Sequence, residues 1–244
     1  GLMYLTSGWS KKTVAVGEEA LNLSLLLKRR SAKVKAAVVL AAGQYFVGEY
    51  QKSMQNALAV HQLAERLNYR WWFSFLEVII ARDYFALGDI DKSWSYCQAA
   101  MSREKPYENG GVYSLTCSLE GEIYRMYGDY KNALRMYEKG MSIAVKSYQT
   151  MDCAILFAIN DGAANFKRGL SLLDGLILQG EKFGMGATVL LARMGKAFLI
   201  GINDNTKHQD KDIDDLIKEM VERGFGTSPL AGELFKAQIA KTAG

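Results

Sequence analysis

The stretch "GEIYRMYGDYKNALRMYEKG", residues 121–140, decides the fold because its features return every 40 residues along the chain. The glycine near its centre belongs to a series in step: Gly8, Gly48, Gly88 and Gly128. A small residue lies seven positions before each glycine: Gly1, Ala41, Ala81 and Gly121. Tyrosine or glutamine lies four positions before it: Tyr4, Gln44, Tyr84 and Tyr124. Columns of this kind indicate an internal repeat.

The residues that follow each glycine form columns as well. Six positions after it the residue is apolar: Val14, Met54, Trp94 and Leu134. At the helical period, each repeat contains a helix A before the glycine and a helix B after it, each about 17 residues long. The glycine ends helix A in a left-handed conformation. The acid after it suits the start of helix B, where backbone amides are exposed: Glu49, Asp89 and Asp129.

Residues 121–140 resemble the tetratricopeptide repeat family. They combine a small residue, a tyrosine and a Gly-acid-aromatic turn with Ala133 and Tyr137. The family's usual period is about 34 residues, and its proline at the end of helix B is missing here. The resemblance implies an all-α, right-handed superhelix of antiparallel helix pairs whose A helices line the concave face. Forty-residue versions look like the sensor modules of LuxR-type, maltotriose-responsive bacterial regulators.

The repeat predicts a single domain over residues 1–244. Its parts are a half repeat at 1–30, repeats at about 31–69, 70–108, 110–147, 149–183 and 184–224, and a cap at 225–244. Beyond residue 145 the pattern slips, and we read 151–169 as a helix A and 170–184 as its helix B. Because Gly1 occupies the small-residue column, the chain opens halfway along a helix A. We therefore expect it to be a fragment of a longer protein.

Composition restricts the classes of function. A hydrophobic share of 49% with only two prolines favours long helices around a sizeable core. The net charge is +4 and the longest basic cluster is "KRR" at 28–30, so we do not expect nucleic acid as a partner. Three unpaired cysteines indicate buried thiols in a reducing, cytoplasmic compartment: Cys97, Cys117 and Cys153. No apolar run reaches the ~18–20 residues of a membrane span, and we expect no membrane partner.

No motif for catalysis or metal binding stands out. The two histidines, His61 and His208, have no Cys or His partner at metal-ligand spacing. The chain contains neither a phosphate-binding loop nor a nucleophile elbow. We therefore predict a non-catalytic protein without cofactor or metal.

Candidate binding residues lie on the concave face that the resemblance implies. Projecting this face onto the predicted A helices selects Lys35, Tyr45, Phe75, Arg82, Phe85, Glu122, Arg125, Phe166 and Lys196. Arg82 and Glu122 either contact ligand or form an ion pair between neighbouring A helices. The phenylalanines either contact ligand or fill the core.

These observations predict a non-catalytic recognition module of a signalling or transcription-regulating protein. Its concave groove would bind a peptide, a protein or a small effector. One alternative is a protein–protein scaffold without a small ligand, and another is a helical enzyme with its site in the groove. The truncated N-terminal repeat could also support self-association.

Overall fold

The computed structural model of the chain is helical throughout the residues that it describes, which are 7–103, 110–147, 152–162, 164–204, 209–226 and 236–237. These ranges contain eleven helices and no strand, which confirms the predicted all-α helical repeat. The helices are α1 (Ser10–Leu26), α2 (Arg30–Phe46), α3 (Tyr50–Arg66), α4 (Arg70–Ala86), α5 (Ile90–Arg103), α6 (Gly110–Met126), α7 (Tyr130–Ser147), α8 (Asp152–Gly162), α9 (Phe166–Phe183), α10 (Gly186–Asp204) and α11 (Gln209–Arg223). Gly1 and Tyr4, and most of the proposed cap, lie outside the described residues.

A left-handed residue ends helix after helix at intervals of 20 residues from Gly8 through Lys28, Gly48 and Asn68 to Gly88, and again 40 residues later at Gly128, with φ between 50° and 86°. In the five turns from Lys28 onward, the amide of the next residue donates to the carbonyl five positions earlier, at 2.8–3.1 Å. This bond satisfies a carbonyl that the helix end leaves open. The interval allows helices of 17 residues, the expected length, in α1 to α4 and in α6.

The glycine period of 40 residues therefore marks only alternate turns. Lys28 (φ 50°) and Asn68 (φ 52°) hold the left-handed position in the turns between. Asparagine tolerates this conformation better than most side chains, whereas lysine has no such preference. The underlying structural unit is a single helix with its turn, and two units make one sequence repeat.

The helices form two layers. The inner helices α2, α4, α6, α8 and α10 each pack against the next inner helix. The outer helices α1, α3, α5, α7, α9 and α11 pack against inner helices, and no two outer helices pack together to a comparable extent within the described ranges. Because one layer is closely spaced and the other is splayed, the array curves with its inner helices on the concave side.

Residues without bulky side chains allow paired helices to approach closely. A Cβ atom added to Gly121 would lie 2.6 Å from Cδ1 of Tyr137, a side chain that is fully buried. A Cβ atom on Gly17 would lie 2.8 Å from the Cα atom of Leu40. Gly121 belongs to the small-residue column, which thus reflects helix contact at this pair, whereas Gly17 makes a similar contact outside the column.

The predicted helix A over 151–169 is wrong. Helix α8 ends at Gly162, and α9 begins at Phe166 after a short turn in which the Asn165 amide donates to the Asp161 carbonyl at 2.8 Å. A Cβ atom on Gly169 would lie 2.7 Å from the Cα atom of Gly162. The two glycines therefore lie where two separate helices cross. Their spacing in the sequence had suggested one continuous helix.

The residues at and just after the C-terminal end of α11 contact two turns near the start of the chain, one before α1 and one after α2. The Gly226 amide donates to the Phe46 carbonyl at 2.9 Å, and the rings of Phe46 and Phe225 meet edge to face at 6.0 Å. Arg223 Nη1 donates to the Ser7 carbonyl at 3.3 Å. These contacts join residues about 180 to 216 positions apart, so the curved array closes upon itself along one edge.

Candidate functional site

Seven of the nine candidate residues lie at equivalent positions on three successive inner helices. We call them the inner stripe: Lys35, Tyr45, Phe75, Arg82, Phe85, Glu122 and Arg125. Lys35 and Arg125 are exposed and the other five are half-buried. On α4, by contrast, every residue from 76 to 81 is buried. The stripe is thus an accessible line on helices that are otherwise mostly packed.

Arg82 connects two inner helices. Its Nη2 atom donates to Ser118 Oγ at 2.6 Å and to the Leu115 carbonyl at 3.4 Å, and both acceptors lie on α6. Ser118 Oγ itself donates to the Leu115 carbonyl at 2.8 Å. The guanidinium is therefore held against α6 with part of its surface accessible, which orients it without covering it.

Glu122 and Arg125 form an ion pair within α6. Arg125 Nε and Nη2 donate to the Glu122 carboxylate at 3.1 and 2.8 Å, and the Tyr137 hydroxyl of α7 donates to the same carboxylate. Burial, together with the charge of Glu122, raises the pKa of Tyr137. The hydrogen bond to Glu122 raises the pKa of Arg125, so this side chain keeps its charge. The stripe therefore presents a cation at Arg125 whose position is set by a carboxylate and a phenol.

The aromatic members of the stripe are partly engaged in packing. Phe75 stacks on Trp71 with ring centroids 5.2 Å apart. Phe85 packs against the buried cluster that contains Ala81 and Ile123. Tyr45 lies 5.6 Å from the ring of Tyr50. Each ring therefore combines a buried edge with an accessible one, as aromatic residues at binding surfaces do.

The two remaining candidates lie elsewhere. Phe166 is the first residue of the outer helix α9 and packs against the core, so its assignment to an A helix is wrong. The displaced helix boundary at Gly162 is the reason. Lys196 lies on the inner helix α10, where its ammonium group is 2.6 Å from Asp174 Oδ1 of α9.

A buried acid lies behind the stripe and was missed by the sequence analysis. Asp83 is fully buried, and its Oδ2 is 2.7 Å from Ser53 Oγ of α3. Ser53 Oγ is also 2.9 Å from the Ala41 carbonyl, which can only accept. A hydroxyl has one proton to donate, so Asp83 must donate to Ser53 when Ser53 donates to Ala41. This agrees with the pKa of Asp83, which burial raises to about 8 against the opposing effect of the Ser53 hydrogen bond.

A second buried acid, Glu77, anchors a polar cluster at the opposite end of α4. Its carboxylate is 3.2 Å from Arg103 Nε and 3.7 Å from His61 Nε2. The Phe73 ring stacks on His61 at 4.4 Å and lies 4.8 Å from the Arg103 guanidinium. An acid within the apolar run "FLEVII" was the signal that could have revealed Glu77 in the sequence.

Two cavities lie at the edges of the array. One, of about 300 Å³, is lined by residues of α3, α4 and α5 that include Arg70, Phe73 and Arg103. The other, of about 310 Å³, lies where the chain closes upon itself and is lined by Ser7, Arg193 and Arg223 among others. Neither of these two cavities is lined by a residue of the inner stripe.

The three cysteines are buried free thiols. Burial raises the pKa of the Cys97 and Cys117 thiols to about 12, which keeps both protonated at neutral pH. Within the described ranges, no cluster of three or more His, Cys, Asp or Glu side chains has the arrangement of a metal site. Searched over the same ranges, the helices include none with the length and apolar character of a membrane span. In comparisons with known proteins, the chain matches no family model and no curated protein.

Proposed function

We propose that the chain is a non-catalytic recognition module that binds an extended peptide or a protein segment along its concave face. The inner stripe is the observation that carries this proposal. Its residues occupy matching positions on α2, α4 and α6, and these helices pack against one another in order. Repeats that present equivalent positions in register are suited to a ligand that runs across them.

The form of the surface favours an extended partner over a small effector. A small-molecule site is a cavity with apolar walls and a few convergent polar groups. The two edge cavities do not include the stripe, whose Lys35, Arg82 and Arg125 line an open face. Accessible cations between aromatic rings suit a partner with acidic and apolar side chains.

The position of Asp83 also supports binding rather than catalysis. Its raised pKa is the kind of perturbation that marks catalytic acids. Its carboxyl group, however, faces Ser53 on the outer helix α3 and is fully buried. A general acid must reach its substrate, so this acid is better explained as part of the packing between two helices.

The resemblance to tetratricopeptide sensor modules suggests a role for the longer protein of which we expect this chain to be a part. A concave module of this kind would serve a cytoplasmic signalling or transcription-regulating protein. Partner binding would be coupled to a change of curvature, because each repeat contacts only its neighbours and small rotations accumulate.

The test is a thermal-unfolding scan of the chain against a panel of acidic peptides and small metabolites. A ligand at about 100 times its Kd stabilises the folded state by about 2.7 kcal/mol. This corresponds to a rise of roughly 5–10 °C in the unfolding midpoint of a chain of this size. We expect such a rise from a peptide.

Matched variants locate the site. Arg125→Ala removes a cation of the stripe that pairs with the acid three residues before it. The control, Lys92→Ala, removes an exposed cation of the outer helix α5 that also pairs with the acid three residues before it, Asp89, at 2.7 Å. We expect Arg125→Ala to weaken binding about tenfold, which corresponds to about 1.4 kcal/mol. Lys92→Ala should leave the affinity unchanged, and equal losses in the two variants would contradict the proposal. A small metabolite that shifts the midpoint would favour the sensor alternative.

A further inference from the structure

Four leucines near the end of α1 are exposed to solvent. The exposed fractions are 50% for Leu23, 51% for Leu25, 78% for Leu26 and 65% for Leu27. These residues occupy the last turn of the helix and the start of the following turn, so they project from an edge of the array. We call them the leucine tip. Exposed apolar side chains of this size, adjacent to one another, mark a docking surface.

The fold does not require leucine at two of these four positions. Forty residues later, the positions of Leu25 and Leu26 are held by Glu65 and Arg66, both exposed at the end of α3. The two turns have the same backbone, since Lys28 and Asn68 are both left-handed. Leu23 and Leu27, by contrast, have leucine counterparts, Leu63 and Leu67, that are half-buried against the core. The repeat therefore provides an internal control for Leu25 and Leu26, whose positions are polar in the other copy.

The surroundings of the leucine tip are strongly basic. No Asp or Glu occurs between Glu19 and Glu49, whereas this segment contains five cations. Lys28, Arg29, Arg30 and Lys33 lie close to the turn, and Lys35 belongs to the inner stripe. The turns that join outer to inner helices all lie at one edge of the antiparallel array. Among the described residues, the next two turns add Arg66, Arg70 and Arg103 together with the acid Glu65. The second of these turns also contains Glu104, Lys105 and Glu108, which lie outside the described residues.

We propose that the leucine tip and the adjacent basic edge dock onto an anionic lipid bilayer. The leucines project outward and form no groove, so they suit insertion into the interface of a flat bilayer better than the capture of a peptide helix. The cations beside them complement lipid phosphates, and basic residues near an anionic leaflet each strengthen binding. Nucleic acid would use the cations but would leave the leucines exposed to water.

This docking departs from the expectation of no membrane partner, which rested on the absence of a membrane-spanning segment in the sequence. A peripheral contact needs only a short apolar segment and a basic surface. It also leaves the inner stripe accessible, because the stripe lies on the concave face and the tip lies at an edge. The chain could therefore hold a partner while resting on a membrane.

The test is flotation of the full 244-residue chain with vesicles of phosphatidylcholine containing phosphatidylglycerol, and with vesicles of phosphatidylcholine alone. We expect binding to the anionic vesicles that weakens as salt is raised. Leu25→Glu combined with Leu26→Arg installs the residues that α3 carries and leaves the net charge unchanged. We expect this variant to lose at least tenfold in vesicle affinity. Lys28→Asn combined with Arg29→Gln should lose a similar amount.

Two controls make the outcome decisive. Circular dichroism should match that of the wild type, since all four substituted residues are exposed. The unfolding midpoint should be no lower, because asparagine suits the left-handed position of Lys28 better than lysine does. The reverse variant, Glu65→Leu with Arg66→Leu, should bind anionic vesicles more tightly. Absence of vesicle binding, or equal binding by the wild type and the leucine variant, would overturn the proposal. The proposal would also be overturned if the wild type formed a dimer without vesicles and the leucine variant were monomeric. Binding to duplex DNA but not to vesicles would overturn it as well.

Discussion

The helix pairs α4–α5 and α6–α7 have the same backbone geometry at their turns but pack different side chains. Both turn at a left-handed glycine, Gly88 with φ 84° and Gly128 with φ 76°. In both, an aspartate accepts a hydrogen bond from the amide three residues later, at 3.2 and 3.1 Å. Different residues form the contact between the two helices of each pair. In α4–α5, Ala81 and Cys97 belong to one buried cluster. At the equivalent positions, α6–α7 has Gly121 and Tyr137.

The contact with the preceding outer helix differs as well. Asp83 pairs with Ser53, whereas the equivalent positions 40 residues later hold Ile123 and Ser93. Ser93 Oγ is buried without a hydrogen-bond partner among the described residues. The turns thus keep one geometry while the packed positions change in volume and polarity. A repeat with this freedom can vary its accessible inner residues without losing its architecture.

Replacing Asp83 by Asn has the largest expected effect. Burial raises the pKa of Asp83 from 3.8 to about 8, so the folded state retains a proton that the unfolded chain releases. The stability that Asp83 contributes should therefore be fully present below about pH 4 and be lost as pH rises to about 8. The slope is about 1.4 kcal/mol per pH unit, or about 4 kcal/mol between pH 5 and 8.

Asp83→Asn should remove this slope, because Asn is neutral and can donate to Ser53 in place of the acid proton. Urea unfolding of both proteins from pH 5 to 9 measures the difference. Parallel stability curves would show that Asp83 is not the titrating group. Ile123 offers no such group, so substitutions at that position should not alter the pH dependence.

Gly121→Ala should destabilise the α6–α7 pair by about 3 kcal/mol, at the upper end of overpacking effects. The new Cβ would overlap the buried ring of Tyr137, which has no room to move. The opposite change, Ala81→Gly, should cost only about 1 kcal/mol through helix propensity. Chemical denaturation of both variants gives the comparison, and similar losses would disprove the size matching between Gly121 and Tyr137.

The same substitution at Ser53 and Ser93 should have opposite signs. Ser53→Ala leaves the buried Asp83 without its hydrogen-bond partner, which should destabilise by about 2 kcal/mol. Ser93→Ala removes a buried hydroxyl that lacks a described partner, so we expect it to be neutral or stabilising by up to about 1 kcal/mol. Unfolding midpoints measured side by side decide the sign. Destabilisation by both would imply that the two interfaces are alike.

The smallest expected effect concerns the helix starts. Asp89→Ala and Asp129→Ala each remove a bond to a backbone amide and should lower the unfolding midpoint slightly and to the same extent. Glu49→Ala should have less effect, because Glu49 makes no side-chain cap and bonds only Lys52. A calorimetric scan resolves differences of this size. Unequal losses at Asp89 and Asp129 would show that the two turns are not equivalent.

Most of the regular architecture could be predicted from local residue patterns. Glycine columns and small-residue columns arise from backbone conformation and helix contact, so they are visible in the sequence itself. Lys28 and Asn68 were missed because neither is the usual residue for a left-handed turn. Gly162 and Gly169 misled the prediction, since the same pair of glycines fits both a continuous helix and a helix crossing.

The polar interior could be predicted less well. Whether Asp83 is accessible or buried depends on Ser53, which comes from another repeat. The closure at Phe46 and Gly226 depends on the summed curvature of all the helices between them. Exposure of the inner stripe was predicted because it follows from helix periodicity, whereas its hydrogen bonds to Ser118 and Tyr137 required the packed structure.

The central claim is that the concave inner stripe is the recognition surface. Fluorine-19 NMR tests this claim directly. The ten phenylalanines of the chain are replaced by 4-fluorophenylalanine, and the labelled protein is titrated with the peptide that most raises its unfolding midpoint. Phe75 and Phe85 report the stripe, and Phe183, half exposed at the end of the outer helix α9, reports the convex side. The account predicts that the Phe75 and Phe85 resonances shift while that of Phe183 stays in place. A shift of Phe183 with unchanged Phe75 and Phe85 would contradict it.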